Sequence, residues 1–461
     1  MATRDYRTYS FWLDSLPDDL EPRAALESDH HVDVAIVGGG YTGLWTAYYL
    51  KRADPSVSVA IVEKEICGFG ASGRNGGWCS ALFAGSRERT AARHGRDAAI
   101  ALQRAMFDTV DEVGRVVELE GIDAHYAKGG TLSFATSRAQ LGRVRESVEY
   151  QRSWGFGESD YTWLDAAEAR ARVDIAGCLG AAFTPHCAAI HPGRLARGLA
   201  EVVESAGVAI YEQTPAVKIA SRTVGTPRGR LHAGVVVIAT EAYTVELPRR
   251  RRSFAPIFSL MIVTEPLDRD VWETIGWRGR ETMTDGRHLI IYSQRTADDR
   301  IAIGGRGAPY HFGSRIKDSY DREPDVFREL EQTLNSLLPQ TQGACITHSW
   351  GGPIAIPRDW YSSVLMNRSA GIARAGGYVG DGVSTANLAG RTLRDLILEH
   401  RTELTRLPWV NHRSRRWEPE PLRWIGANLM LGIAASADKA ENRRGEPVRR
   451  LDLVSKFVGW H

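Results

Sequence analysis

Cysteine, lysine and long apolar runs are all scarce in this chain of 461 residues, and each scarcity excludes something. The five cysteines, Cys67, Cys79, Cys178, Cys187 and Cys345, are scattered, with no C-x-x-C pair and no metal-ligand spacing. That argues against a disulfide scaffold or a metal site and predicts reduced thiols in a cytoplasmic protein. No run approaches the ~20 apolar residues of a membrane-spanning helix, and the opening "MATRDYRTYSFWLDSL" lacks an apolar signal core. A soluble protein with no membrane partner is expected. Neither sign of charge dominates: 58 Lys and Arg face 56 Asp and Glu, a net charge of +2 that gives no reason to expect nucleic acid. Arginine outnumbers lysine 51 to 7, which reads as codon bias. The one dense basic run, Arg249 to Arg252 after Pro248, reads first as a solvated loop and second as a contact for an anionic partner. Neither H-E-x-x-H nor G-x-S-x-G occurs, so zinc-protease and serine-hydrolase chemistry have no support.

What is present begins with "VDVAIVGGGYTGLWTAYYLKRADPSVSVAIVEKE", Val32 to Glu65. Val32 to Val37 is a β-branched run suited to a strand buried on both faces. Tyr41 to Arg52 has helical spacing before Asp54-Pro55, and Val57 to Val62 reads as a second buried strand. Between them, Gly38-Gly39-Gly40-Tyr41-Thr42-Gly43 fits G-x-G-x-x-G. Gly38 allows a tight turn, Gly40 admits a phosphate to the backbone, and Gly43 lets the helix pack on the sheet. The helix N-terminus then faces a pyrophosphate. Glu63, 20 residues past Gly43, ends the second strand where a carboxylate accepts ribose hydroxyls, with Lys64 beside it. The segment predicts a bound dinucleotide.

Further on, "CGFGASGRNGGWCS" (Cys67 to Ser80) holds too much glycine for a helix or strand and lets backbone approach something large and flat. Residues 87 to 120 and 137 to 173 have helical spacing around a strand-like "GGTLSFA" from Gly129 to Ala135. A helix from about Arg194, a strand Val208 to Glu212 and a buried strand Gly234 to Thr240 return the chain to the first sheet. Residues 257 to 305 hold three strand-like runs, "IFSLMIVTEP", "HLIIYSQR" and "RIAIGG", separated by polar turns as in an antiparallel sheet. "GGYVGDGVSTANLAGRTLRDLILEH" adds a third glycine turn before a helix from about Val383.

In this order "DVAIVGGGYTGLWTAYYL", "GASGRNGG", "HPGRLARGLAEVVESAGVAIYEQTPAV", "VVVIAT", "TEPL", "IAIGG", "WGG" and "GYVGDGVSTANLAG" resemble FAD-dependent oxidoreductases of the D-amino-acid oxidase superfamily. The likeness is closest to the γ-glutamylputrescine oxidase-like branch, whose leader and tail "SFWLDSL" and "WEPEPLRWIGANLM" also resemble. It implies an α/β protein: a Rossmann-like FAD-binding domain, its parallel sheet discontinuous in sequence, with an inserted antiparallel-sheet substrate domain. Residues 24–90, 185–245 and 346–400 would form the FAD-binding domain, 91–184 and 246–345 the substrate domain, and 401–461 a C-terminal extension. By the same resemblance Ser72 and Arg74 lie near the phosphates and ribose, and Asn75, Gly76 and Gly77 against the flavin ring. Val217 meets the adenine through its backbone, and Ala239 and Thr240 line that end. Gly380, Asp381, Gly382 and Val383 open a helix toward the flavin pyrimidine, where donors stabilise charge gained on reduction.

The sequence departs from relatives at two places. Asp381 stands where many carry histidine, and Ala302 aligns with the oxygen-activating lysine of sarcosine oxidases. No histidine lies within Ala71 to Ser80, and Gly351 falls near the position of the sarcosine oxidase cysteine, so the FAD is expected to be non-covalent. The resemblance implies hydride loss from the carbon beside an amine or amino-acid nitrogen, as in amine oxidases, with O2 as acceptor. A dehydrogenase using another acceptor, or a FAD-fold binding subunit without redox activity, are the alternatives. Period-two alternation sets His288, Ile290 and Tyr292 on one face of a strand, and Ser259 and Met261 share a face of its neighbour. Tyr292 reads as a substrate contact or a packed core tyrosine, Trp350 as a wall of the site or a packing aromatic. His348 reads as structural, while Arg295 and Arg306 read as solvent-facing or as carboxylate partners. Which amine is oxidised, and the oligomeric state, stay open.

Overall fold

The computed structural model describes residues 4–448, apart from the side chain of Arg306. Two eight-stranded sheets carry it. The first has the order Ser363–Asn367, Ile372–Gly376, Arg230–Ile238, His30–Val37, Val59–Val62, Ala209–Tyr211. The pairings are parallel except at the Ser363–Asn367 edge, and a small antiparallel hairpin, Lys218–Ala220 with Thr223–Gly225, extends Arg230–Ile238. Its β-branched and alanine side chains are buried on both faces, which is why its strands read as continuous apolar runs. Helices Tyr41–Ala53, Pro192–Ser205 and Gly382–Ile397 cover one face. Gly390 lets the last of these press on the first, since a Cβ there would lie 2.7 Å from Trp45 backbone carbon.

The second sheet runs Ile346–Ile356, Ala255–Thr264, Ile301–Arg306, Ile291–Arg295, Thr282–Asp285, Thr131–Ala135, Gly180–Thr184, Thr162–Leu164. All neighbours are antiparallel except Thr282–Asp285 with Thr131–Ala135. Alternation divides its faces. Leu132, Ile262, Ile291, Ile301 and Ile303 pack under helices Arg269–Ile275 and Pro324–Leu337. Met261, Val263, Tyr292, Ala302 and Trp350 face the other way, toward Phe11 and Trp12.

The α/β architecture is thus the expected one, a parallel sheet built from separated segments joined to a largely antiparallel one. Local differences have physical causes. The helical stretch 87–120 breaks at Gly95, whose φ of +89 ends Arg87–His94 before Arg96–Leu119. The stretch 137–173 contains the strand Thr162–Leu164 between two helices. The strand expected from His288 begins at Ile291, because His288 and Leu289 donate their N–H groups to the Asp438 carboxylate (both 2.9 Å) instead of a ladder. Period-two alternation therefore does not extend to His288 and Ile290. Ile346–Ile356, expected with the nucleotide-binding segments, pairs along Ala255–Thr264 in the second sheet. Helix Leu422–Arg444 dominates the described part of the C-terminal extension. No helix among the described residues is long and apolar enough to cross a membrane.

Candidate functional site

The first glycine turn is closed by its surroundings. Gly38 has φ +111, and a Cβ there would lie 2.5 Å from Ala239 O; one at Gly43 would strike Gly38 O. Helix Tyr41–Ala53 consequently starts hard against the strand end, with Thr42 in its first turn. Glu63 reaches back across this turn: its Oε2 accepts from Gly39 N (2.7 Å) and its Oε1 from Glu65 N (2.9 Å). Burial pushes the Glu63 carboxyl up to about 7, against the pull of those two N–H groups, with Glu212 and Glu65 adding to the rise. Lys64 is exposed and pairs with Glu246 at 3.2 Å. Ala239 N donates to Val37 O (2.9 Å), and Thr240 Oγ1 bonds Thr244 Oγ1 (2.8 Å). Val217 is exposed, and its N–H is given to Gly225 O (2.9 Å).

The three glycine turns, far apart in sequence, are stitched together. Ser72 Oγ accepts from Tyr41 N (2.9 Å), joining the second turn to the first. Thr42 Oγ1 bonds Tyr378 Oη (2.9 Å), joining the first to the third. Ser80 Oγ donates to Asp381 Oδ1 (3.1 Å), joining the second to the third. Asp381 stands at the N-cap of Gly382–Ile397, preceded by Gly380 at φ +109, and Val383 is buried in the first turn. Glu241, which the sequence reading passed over, accepts from Gly377 N (2.9 Å) and Tyr378 N (3.1 Å) and so shapes the third turn. Burial pushes its carboxyl up to about 7.

The second turn is gripped from several directions. Asn75 Oδ1 accepts from Gly77 N (2.7 Å). Trp12 Nε1 donates to Asn75 O (2.8 Å), Trp350 Nε1 to Arg74 O (3.0 Å), and Ser10 Oγ to Gly73 O (2.8 Å). The Arg74 guanidinium is committed to Asp321 Oδ2 (2.8 Å) and Tyr243 Oη (2.6 Å) and lies over the Phe69 ring. Burial pushes Asp321 up to about 6 in spite of Arg74.

Tyr292 lies directly on this turn. A Cβ at Gly76 would sit 2.7 Å from Tyr292 Cε2, and Trp78 meets the same ring edge-on at 6.2 Å. Tyr292 Oη bonds Ser259 Oγ at 2.8 Å. Met261 and the fully buried Trp350 form the adjoining aromatic box with Phe11, Trp12 and Ala302. Gln294, on the same strand face as Tyr292, was also passed over. Its Nε2 donates to Gly76 O (2.8 Å), Gly77 O (3.2 Å) and Ile190 O (3.2 Å), while its buried Oε1 has no partner. Period-two alternation from Tyr292 was the signal that pointed to it. Ile290 lies just outside the strand, Arg295 is paired with Asp299, His348 bonds Asp14 Oδ2 at 3.0 Å near the surface, and the Arg306 side chain lies outside the described residues.

These residues fit a flavin dinucleotide. Glycine keeps Gly40 and Gly76 clear where a Cβ would crowd Ser72 and Tyr292, and a carboxylate closes the second strand. Among the described residues, His288, Asp438 and Glu441 are the one group whose ligand atoms come close enough to suggest a metal; two of them belong to the C-terminal helix and none to these turns.

The family described as "FAD dependent oxidoreductase" matches residues 33–396. Gamma-glutamylputrescine oxidoreductase of Escherichia coli is 31% identical over 372 residues, covering 79% of this chain and 83% of that one. A probable oxidoreductase, OrdL, of Haemophilus influenzae is 27% identical, covering 84% and 88%. The crystal structure of glycine oxidase from Geobacillus kaustophilus superposes with a TM-score of 0.69 at 22% identity, covering 83% of this chain and 99% of that one, which shows a shared fold.

Proposed function

From the premise that this chain belongs to the FAD dependent oxidoreductase family, we propose that it oxidises an amine or amino acid at the carbon next to nitrogen, holding its FAD non-covalently. The observation that carries this reading is the placement of Tyr292, with its partner Ser259, against Gly76, and of Trp350 on the Arg74 carbonyl of the same turn. Bound FAD supplies a two-electron hydride acceptor, and the imine left behind is hydrolysed by water. The chain's part is to bind and orient. Glu63 holds the ribose, the amide end of Tyr41–Ala53 the pyrophosphate with Ser72 beside it, and the Gly380–Val383 turn offers N–H groups to the flavin pyrimidine.

For hydride loss the amine nitrogen must be neutral, and the surroundings of Met261, Tyr292 and Trp350 favour neutrality by excluding water. The Tyr292–Ser259 hydroxyl pair orients the substrate's polar end. Asp381, anchored by Ser80, is the carboxylate beside the flavin turn. Ala302 is fully buried in the aromatic box, so no lysine ammonium stands there to assist O2. This favours slow transfer to O2, giving hydrogen peroxide, or transfer to another acceptor. The test is an anaerobic screen of polyamines, N-methyl amines and amino acids that follows loss of the oxidised flavin's visible absorbance. A purified yellow protein that no amine or amino acid bleaches would overturn the proposal.

A further inference from the structure

Of the ten large apolar side chains exposed among the described residues, four lie in the first eight residues of helix Leu422–Arg444 and a fifth, Phe312, on a loop bonded to that helix. Leu422, Ile425 and Leu429 recur at helical spacing along Leu422–Arg444 and are 61%, 50% and 60% exposed; Trp424 (43%), farther round the same helix, and Phe312 (51%) are exposed as well. The loop of Phe312 is tied to the helix. Tyr310 N and O bond the Asn428 amide (3.0 Å each), and Gly313 N donates to Glu420 Oε1 (2.9 Å).

The stripe is not a helix still seeking its core. The opposite side is already seated: Arg423, Ala434, Ala437 and Asp438 are buried, and Glu441 pairs with Arg143 at 2.7 Å. Beside the helix start, the basic run singled out in the sequence is fastened to the extension. Arg252 Nε donates to Trp417 O (2.6 Å), Trp417 N to Arg252 O (2.9 Å), and Arg423 Nη1 to Arg251 O (3.1 Å). Local ion pairs use other arginines, Arg358 with Glu418 and Arg423 with Glu420. Arg249, Arg251, Arg415 and Arg416 are exposed with no acidic partner among the described residues.

We propose that this face docks on an anionic lipid bilayer, the apolar stripe entering the interface and the arginines meeting the headgroups. An exposed apolar stripe at the start of the helix, with unpaired arginines on the segments beside that start, suits the surface of an anionic bilayer, and this helix is not apolar enough to cross one. A second copy is the poorer occupant: a two-fold pairing of this face brings its own arginine rim against itself. A bilayer instead supplies the missing negative charge.

The test is flotation of the FAD-loaded protein with vesicles of phosphatidylcholine alone or mixed with phosphatidylglycerol. The protein is expected to float with the anionic vesicles only, less so as salt is raised. The double variant Ile425→Glu, Leu429→Glu is expected to stay unbound while keeping its flavin. Arg415→Gln and Arg416→Gln, which leave the stripe intact, are each expected to weaken binding about fivefold. Failure to float with anionic vesicles, or flotation that survives the double variant, overturns the proposal. So does a wild-type dimer that the double variant splits without any vesicle binding, which makes the occupant a second copy.

Discussion

The proposal that Glu63 holds the ribose carries a pH dependence that can be measured. Its carboxyl, pushed by burial up to about 7, already accepts from Gly39 N and Glu65 N. To hold ribose hydroxyls as well, it must give up its proton. The sign follows: bound FAD favours the ionised form, so affinity is complete above the raised pKa and is lost as pH falls through about 7. Each pH unit below that point costs up to about 1.4 kcal/mol, a factor of ten in Kd. Titrating apoprotein with FAD from about pH 5 to pH 9 should therefore show a steep lower limb and a plateau. Glu63→Gln keeps an acceptor oxygen but no charge; binding on the plateau should weaken by about 1.5 to 3 kcal/mol, and the slope should vanish. Glu241, also near 7, bonds the third turn and the Ala355 backbone but not the first turn, so Glu241→Gln should leave the slope in place. A flat wild-type profile, or one whose slope survives Glu63→Gln, refutes the assignment.

Four further outcomes are expected. Tyr292→Phe should lower kcat/KM with the best amine by about twofold to tenfold, the worth of one neutral hydrogen bond, with flavin content unchanged as read by absorbance; unaltered kinetics would make Tyr292 a packing residue only. Trp12→Phe strands Asn75 O and should speed FAD release, followed by flavin fluorescence after dilution, by a factor on the order of ten. Ala302→Lys should accelerate reoxidation by O2 in stopped flow, and rapid reoxidation of the wild type would contradict the slow-oxidase reading. The rate of anaerobic flavin reduction should rise with pH through one ionisation below the free amine's pKa, and should keep it in Asp381→Asn; its disappearance would make Asp381 the proton acceptor in place of desolvation.

What the sequence disclosed were features with a local signature. The turn at Gly38–Gly43 lies between two β-branched runs, and Glu63 sits at a fixed interval beyond it; both are set by the strand–turn–helix unit in which they occur. Alternation along Ile291–Arg295 likewise sent Tyr292 and Ile291 to opposite faces, where they are found in different clusters. The same rule failed at His288 and Ile290 because the acceptor that ends the strand, Asp438, arrives from a helix 150 residues away. Arg74 carries a family motif, yet its guanidinium turns to Asp321 and Tyr243, partners that no spacing in the motif encodes.

Trp12 and Gln294, which were passed over, and Trp350, which was read only as a wall of the site or a packing aromatic, share one property: their grip on the second turn exists only between segments. Trp12, Trp350 and Gln294 come from the leader and from two strands of the second sheet, and each donates to a carbonyl within Arg74–Gly77. A backbone carbonyl leaves no residue-type trace in the sequence of the loop that offers it, so neither partner predicts the other. Together these donors fasten the second glycine turn, which rests on the first sheet's helix through Ser72, to the sheet that carries Tyr292 and Ser259. The distance between the second glycine turn and the Tyr292–Ser259 pair is therefore set by side-chain N–H groups. Loosening any one of them should disturb cofactor retention and substrate kinetics together, whereas a change at Ser259 alone should disturb only the second.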